Sequence, residues 1–159
     1  MLVFTSIKFP GPFECLNSIS LNLSQTHLSK LQRLQNAAAR IVTLSKKYTH
    51  ITPILESLHW LQVKDRITFK ILLLVFHCIK GSAPQYNIDL VYKYTPVRSL
   101  RSSSSSSLDI PRFAKTWGKR AFAHAGPTLW NNLPIGIKTC TSLDLFKKNL
   151  KAHLFNTSF

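Results

Sequence analysis

The chain has 159 residues, with 21 Lys and Arg against 6 Asp and Glu, a formal net charge of +15, hydrophobic residues at 45% and charged residues at 17%. That length suits one domain or one domain with an appendage, and the apolar content excludes disorder on composition alone. The imbalance reflects missing acid more than surplus base, since charged residues usually make up about 25%, and such a field favours polyanions such as nucleic acid or an anionic membrane surface.

Residues 1 to 23 are weakly patterned and read as an irregular leader. From Ser24 the pattern changes: Leu28, Leu31, Leu34, Ala38, Ile41 and Val42 recur at three- and four-residue steps, which predicts one apolar helix face. On the same period Lys30, Arg33, Arg40 and Lys47 fall opposite it, a cationic stripe that is either a solvated face or a polyanion contact. Thr52 and Pro53 read as the N-cap and first residue of a short helix through Leu58. A longer helix is expected from about Val63 to Lys80. Its second half, Ile71 to Phe76, is apolar on nearly every side and should sit at the centre of a core that includes Leu58, Trp60, Ile71, Leu72, Val75 and Phe76. Gly81 is the expected left-handed cap, with Pro84 forbidding continuation, and a short helix follows over Gln85 to Tyr92.

The unbroken run Ser102 to Ser107 has no apolar surface to bury and reads as a flexible link. It divides the chain into a helical domain, 24–98, a Ser-rich linker, 99–107, and a small C-terminal α+β part, 108–159. In that last part Leu108 to Arg112 and Arg120 to Ala125 are read as a short β-hairpin. Pro127 opens a turn of helix through Trp130, and Pro134 closes it. Thr141 with Asp144 makes a capping-box-like start for a helix whose apolar face is Leu143, Phe146, Leu150 and Leu154. The fold class expected is therefore mainly α: a helical bundle with a small C-terminal α+β appendage.

Chemistry is constrained mostly by exclusion. Glu14, Glu56, Asp65, Asp89, Asp109 and Asp144 are scattered, leaving no local pair to seed two-metal phosphoryl transfer, whose metals lie about 4 Å apart. Cys15, Cys78 and Cys140 are odd in number, with no CxxC, which disfavours a disulfide framework or a zinc knuckle and suits an intracellular compartment, nuclear or cytoplasmic. The six histidines show no pair at helical i, i+4 spacing, and GxGxxG, phosphate-loop, HExxH and GxSxG motifs are absent, so no catalytic residue, metal or cofactor is assigned. The N-terminus does not read as a signal peptide, because Lys8 follows the apolar residues and Pro10-Gly11-Pro12 breaks the run. The apolar run at 71–76 falls far short of the ~20 residues of a membrane span.

One segment carries a positive signal. Arg112 to Trp130 interleaves Arg112, Lys115, Lys119 and Arg120 with Phe113, Trp117 and Phe122. Cations that neutralise phosphates beside rings that stack on bases are what single-stranded nucleic acid binding requires. The alternative is that Phe122 and Trp130 are core; for Trp130 the core reading wins, and for Trp117 both stay open. The candidate nucleic-acid-binding residues are thus Lys30, Arg33, Arg40, Lys47, Arg112, Lys115, Trp117, Lys119 and Arg120.

Five blocks follow one another in a familiar order: HLSKLQRLQNAAARIVT (27–43), HITPILESLHWLQVKDRITFKILLLVFHCIKGSAPQY (50–86), YTPVRSLRSS (94–103), GKRAFAHAGPTLWNNLP (118–134) and SLDLFKKNLKAHLF (142–155). From about residue 14 to 155 the chain resembles the C-terminal region of the reverse transcriptase polyprotein of LINE-type, non-long-terminal-repeat retrotransposons of the jockey-like superfamily. Gln62 and Ser24 stand where that family usually has proline, and His124 where a small apolar residue is more usual. The resemblance implies a region that follows the polymerase palm, with the catalytic aspartates encoded upstream and no polymerase activity of its own. Residues 1 to 12 do not look like the family, which suggests a truncated copy with an unrelated leader. The function expected is non-catalytic binding of RNA or an RNA/DNA hybrid through basic helix faces. The competing expectations are a protein-interaction module that self-associates through an exposed apolar helix face, and an open reading frame of a decayed element without a cellular role.

Overall fold

A computed structural model of the chain describes residues 24–95, 106–115 and 118–159. The expected leader, most of the serine run and Trp117 lie outside the described residues. Seven α-helices occur within them: α1 (Gln25–Val42), α2 (Ile51–Ser57), α3 (Val63–Ile79), α4 (Gln85–Ile88), α5 (Phe122–Asn131), α6 (Ile135–Lys138) and α7 (Leu143–Ser158), with a 3₁₀ turn at Gly118–Arg120. About 63% of the structure is helical and no strand forms among the described residues, so the fold is mainly α.

The centre is α3. Ile67, Ile71, Leu72, Leu74, Val75, Phe76 and Cys78 are all buried along it, a wider apolar surface than one neighbouring helix can cover. α5 and α7 take one side. The Phe76 and Phe146 rings stack at 4.4 Å between centroids, and Trp130 tilts against Phe146 at 5.8 Å. At the other end of the pair, Ser158 Oγ donates to Asp65 Oδ2 at 2.7 Å, so α7 runs antiparallel to α3. Leu143, Phe146, Leu150 and Leu154 form the buried face of α7, as their spacing predicts. Residues from both sides of the serine run share this core. Leu58 and Trp60, expected at its centre, instead pack at the edge of a second, smaller cluster of Ala39, Ile54 and Leu55.

Several boundaries differ from expectation for local reasons. The N-cap of α2 is His50, and Pro53 sits in the first turn rather than at its first position. The cap of α7 is Ser142, whose Oγ accepts from Leu145 N at 3.3 Å, while Asp144 does occupy the first turn. α4 closes at Ile88, short of Tyr92. The expected hairpin does not form: residues 122–131 are helical, with Pro127 inside α5. Leu108 pairs instead with Lys93 in an isolated antiparallel bridge.

The largest departure is the rotation of α1. Its packed face is Gln35 and Ala39, with Leu28 against the main core, whereas Leu31 is 41% exposed, Leu34 68%, Ile41 74% and Val42 60%. Relative to the expected face the helix is turned by about 90°, at about 100° per residue. Two glutamines occupy the packed face and bond across it. Gln35 Nε2 donates to Leu61 O at 2.7 Å, and Gln32 Oε1 accepts from Val63 N at 2.9 Å. Gln62, at the N-cap of α3, makes no side-chain cap bond, so Gln32 supplies from α1 a partner for an N-terminal N–H that the helix cannot satisfy itself.

α1, α2 and α3 end in the same way. The bonds Ser45 N to Arg40 O, Trp60 N to Leu55 O and Ser82 N to His77 O, each with its inner partner, are Schellman closures. The residues in the left-handed position are Leu44, at φ 51°, His59, at φ 52°, and Gly81, at φ 68°. A side chain there costs about 1–2 kcal/mol, and Leu44 gains nothing by packing, being 92% exposed.

Two outcomes follow for stability. Leu44→Gly should raise the unfolding free energy, by up to about 1 kcal/mol, because relief of left-handed strain exceeds the added unfolded-state entropy. Gly126→Ala should lower it by about 1–3 kcal/mol, because a β-carbon there would lie 2.9 Å from Val75 Cγ2 on the facing α3. Both are read from equilibrium urea unfolding followed by circular dichroism.

Candidate nucleic-acid interface

The expected contact residues divide between two parts of the molecule. Lys30 and Arg33 are exposed on α1, and no acid occurs between Glu14 and Glu56 in the sequence to offset them. Around the helix three arcs follow in order: the packed face, the exposed apolar stripe of Leu31, Leu34, Ala38, Ile41 and Val42 spanning about 100°, and then Lys30 with Arg33. The basic pair therefore lies nearly opposite the packed face and also borders uncovered apolar surface.

Two members of the α1 set have other surroundings than the periodicity suggests. Arg40 is half-buried; its Nη2 donates to Thr49 O at 3.2 Å and its buried Nε has no partner. Its guanidinium fastens the 43–50 turn to α1 through one of its five donors, and its charge is not paired by that bond. Lys47 is exposed, but α1 ends at Val42 and Lys47 lies in the turn beyond it. A helical period cannot be carried through the left-handed residue Leu44.

The second group lies beside α5. Arg112 and Lys115 are exposed in an irregular segment, and Lys119 is exposed in the 3₁₀ turn. Arg120 belongs to that turn by its backbone, while its side chain, like Trp117, lies outside the described residues. The aromatic half of the interleaved pattern is mostly structural. Phe122 is buried, as is Trp130, at 1% exposure. Phe113 closes over Gly118, where an added β-carbon would meet its ring at 2.5–2.7 Å, and it tilts against His124 at 6.2 Å. Phe113, 38% exposed between exposed Arg112 and Lys115, is the ring of this segment that a base could still reach among the described residues.

A third basic feature escaped the sequence reading. A cleft of about 380 Å³ opens between the end of α3, the paired segments around Lys93 and Leu108, and α6, and Lys80, Lys93 and Lys138 all line it. Its walls are held by a run of backbone-directed bonds. Trp130 Nε1 donates to Ser106 O at 3.0 Å. The Asn131 amide pairs with Leu108 as a strand would, accepting from its N–H at 2.9 Å and donating to its carbonyl at 2.8 Å. Lys138 Nζ donates to Asn131 O at 2.8 Å, at the end of α5, and burial pushes its ammonium below the ordinary lysine range. Lys80 Nζ stands 5.6 Å from the centre of the Phe76 ring. No periodicity marks these lysines, because three separate segments bring them together.

Among the described residues no three His, Cys, Asp or Glu side chains converge as metal ligands, and no helix is long and apolar enough to cross a membrane. No family model, curated protein or solved structure matches the chain.

Proposed function

We propose that the chain is a non-catalytic C-terminal fragment of a retrotransposon reverse transcriptase that binds RNA, or an RNA/DNA hybrid, along the sugar-phosphate backbone. The observation that carries the binding is the exposed pair Lys30 and Arg33 on a helix without acidic residues, supplemented by exposed Lys47, Arg112, Lys115 and Lys119. The family assignment rests on the five ordered sequence blocks, and it agrees with a chain whose few carboxylates include no close pair. Asp65 and Asp89 are occupied with the neutral donors Ser158 Oγ and Gln85 Nε2. Backbone neutralisation by such cations is independent of sequence and releases counterions, so the interaction is governed by salt.

Binding of a single-stranded RNA oligonucleotide, followed by fluorescence anisotropy, should weaken with added salt at a log–log slope of about 0.7 per phosphate neutralised. Lys30→Ala with Arg33→Ala should reduce that slope by about 1.4, about 0.7 for each contact. Affinity that does not change between about 50 and 200 mM salt would falsify the reading.

A second reading is favoured by the uncovered stripe on α1, namely self-association of two copies through Leu31, Leu34, Ile41 and Val42. Leaving each such side chain in water forgoes up to about 1.5–3 kcal/mol, more in sum than the ~1 kcal/mol that each of the two glutamine hydrogen bonds on the packed face returns. Size-exclusion chromatography at high salt should then give a dimer that Leu34→Ser with Ile41→Ser converts to monomer. A wild-type monomer across the accessible concentration range would leave the stripe without this role.

A further inference from the structure

We propose that the lysine-lined cleft is a binding site for a phosphate monoester of mononucleotide size. Lys80, Lys93 and Lys138 enter it from three different segments, no carboxylate is among its described lining residues, and Ser106 adds a hydroxyl-bearing side chain, while the Thr139 hydroxyl is donated to Ile135 O. A dianion in the cleft would accept charged hydrogen bonds from these ammonium groups, with no described lining carboxylate to compete for them. Lys138 spends one N–H on Asn131 O and retains two more donors. Lys80 is oriented by the face of Phe76, so part of the ordering cost of binding is met before the ligand arrives.

Size and walls favour a nucleotide over a bare ion. The volume of about 380 Å³ lies within the range of small-ligand sites, about 300–1,000 Å³. Tyr94, half exposed at 50% and also lining the cleft, supplies an aromatic ring beside which a planar base could pack. The adjoining segment, which pairs with Tyr94 through Tyr94 N to Ser107 O, is held by the Trp130–Ser106 and Asn131–Leu108 bonds, which fix the lining without help from a ligand. None of these residues belongs to the α1 contact set, so the site stands or falls separately from strand binding.

The test is an amide NMR titration of the full chain with adenosine 5′-monophosphate, inorganic phosphate and adenosine. The monophosphate and phosphate should compete and produce saturable shifts concentrated at Lys93, Lys138 and Thr139, with adenosine producing none. Lys80→Ala with Lys93→Ala, both at exposed positions, should weaken the monophosphate at least about tenfold, since charged hydrogen bonds contribute about 1.5–3 kcal/mol each. The same variant should keep the wild-type helical circular dichroism, and Lys64→Ala should bind like wild type. The site is refuted if adenosine matches the monophosphate, if the shifts are no stronger in the cleft than at other surface lysines, or if the double variant binds within about twofold of wild type.

Discussion

The fold depends on one helix that has no polar side to give to solvent along its second half. α3 must be covered from several directions at once, and the remaining helices are arranged to do so. The stacked Phe76 and Phe146 rings, with Trp130 against the latter, fix where α7 and α5 meet it. The contact at Gly126, where even a methyl group would collide with Val75, sets how closely α5 lies. Because Trp130 also holds Ser106 and its neighbour Asn131 holds Leu108, the same packing determines the cleft wall. The cationic features are outworks of that core: the α3 terminus presents Lys80, the bridge presents Lys93, and α6 presents Lys138.

The other side of α3 is governed by polar pairing. Gln32 and Gln35 hydrogen-bond the backbone between α2 and α3, supplying partners to backbone groups that would otherwise cost about 1–3 kcal/mol each. In this register the leucine and isoleucine stripe of α1 faces outward. Charge and apolar surface consequently share one helix exterior. Both the strand-binding reading and the self-association reading draw on that face.

Elements whose burial follows a simple period were legible. The face of α7, the extent of α3, the Gly81 closure and the core role of Trp130 all came from spacing and from glycine's conformational freedom. The rotation of α1 was not, because periodicity counts apolar side chains and cannot see two glutamines whose acceptors and donors lie more than twenty residues away. Nor were the closures at Leu44 and His59 legible, since neither residue advertises a left-handed conformation. The helix at 122–131 was obscured by Pro127, which reads as a helix start but here lies inside α5. At the candidate interface, exposure of Lys30, Arg33, Lys115 and Lys119 was legible from their polar surroundings. The diversion of Arg40 to Thr49 depended on a turn whose path the sequence did not show.

The antiparallel docking of α7 on α3 has a consequence for biosynthesis. The surface that receives Phe146 is made when α3 is made, but its cover lies far along the chain, beyond the serine run. At about 5–20 residues per second the ribosome leaves that surface bare for several seconds. During this interval the nascent chain displays its most apolar helix next to a surface rich in lysine and arginine. That combination is a substrate for chaperones that bind hydrophobic segments, and efficient production of the protein should depend on one being at hand.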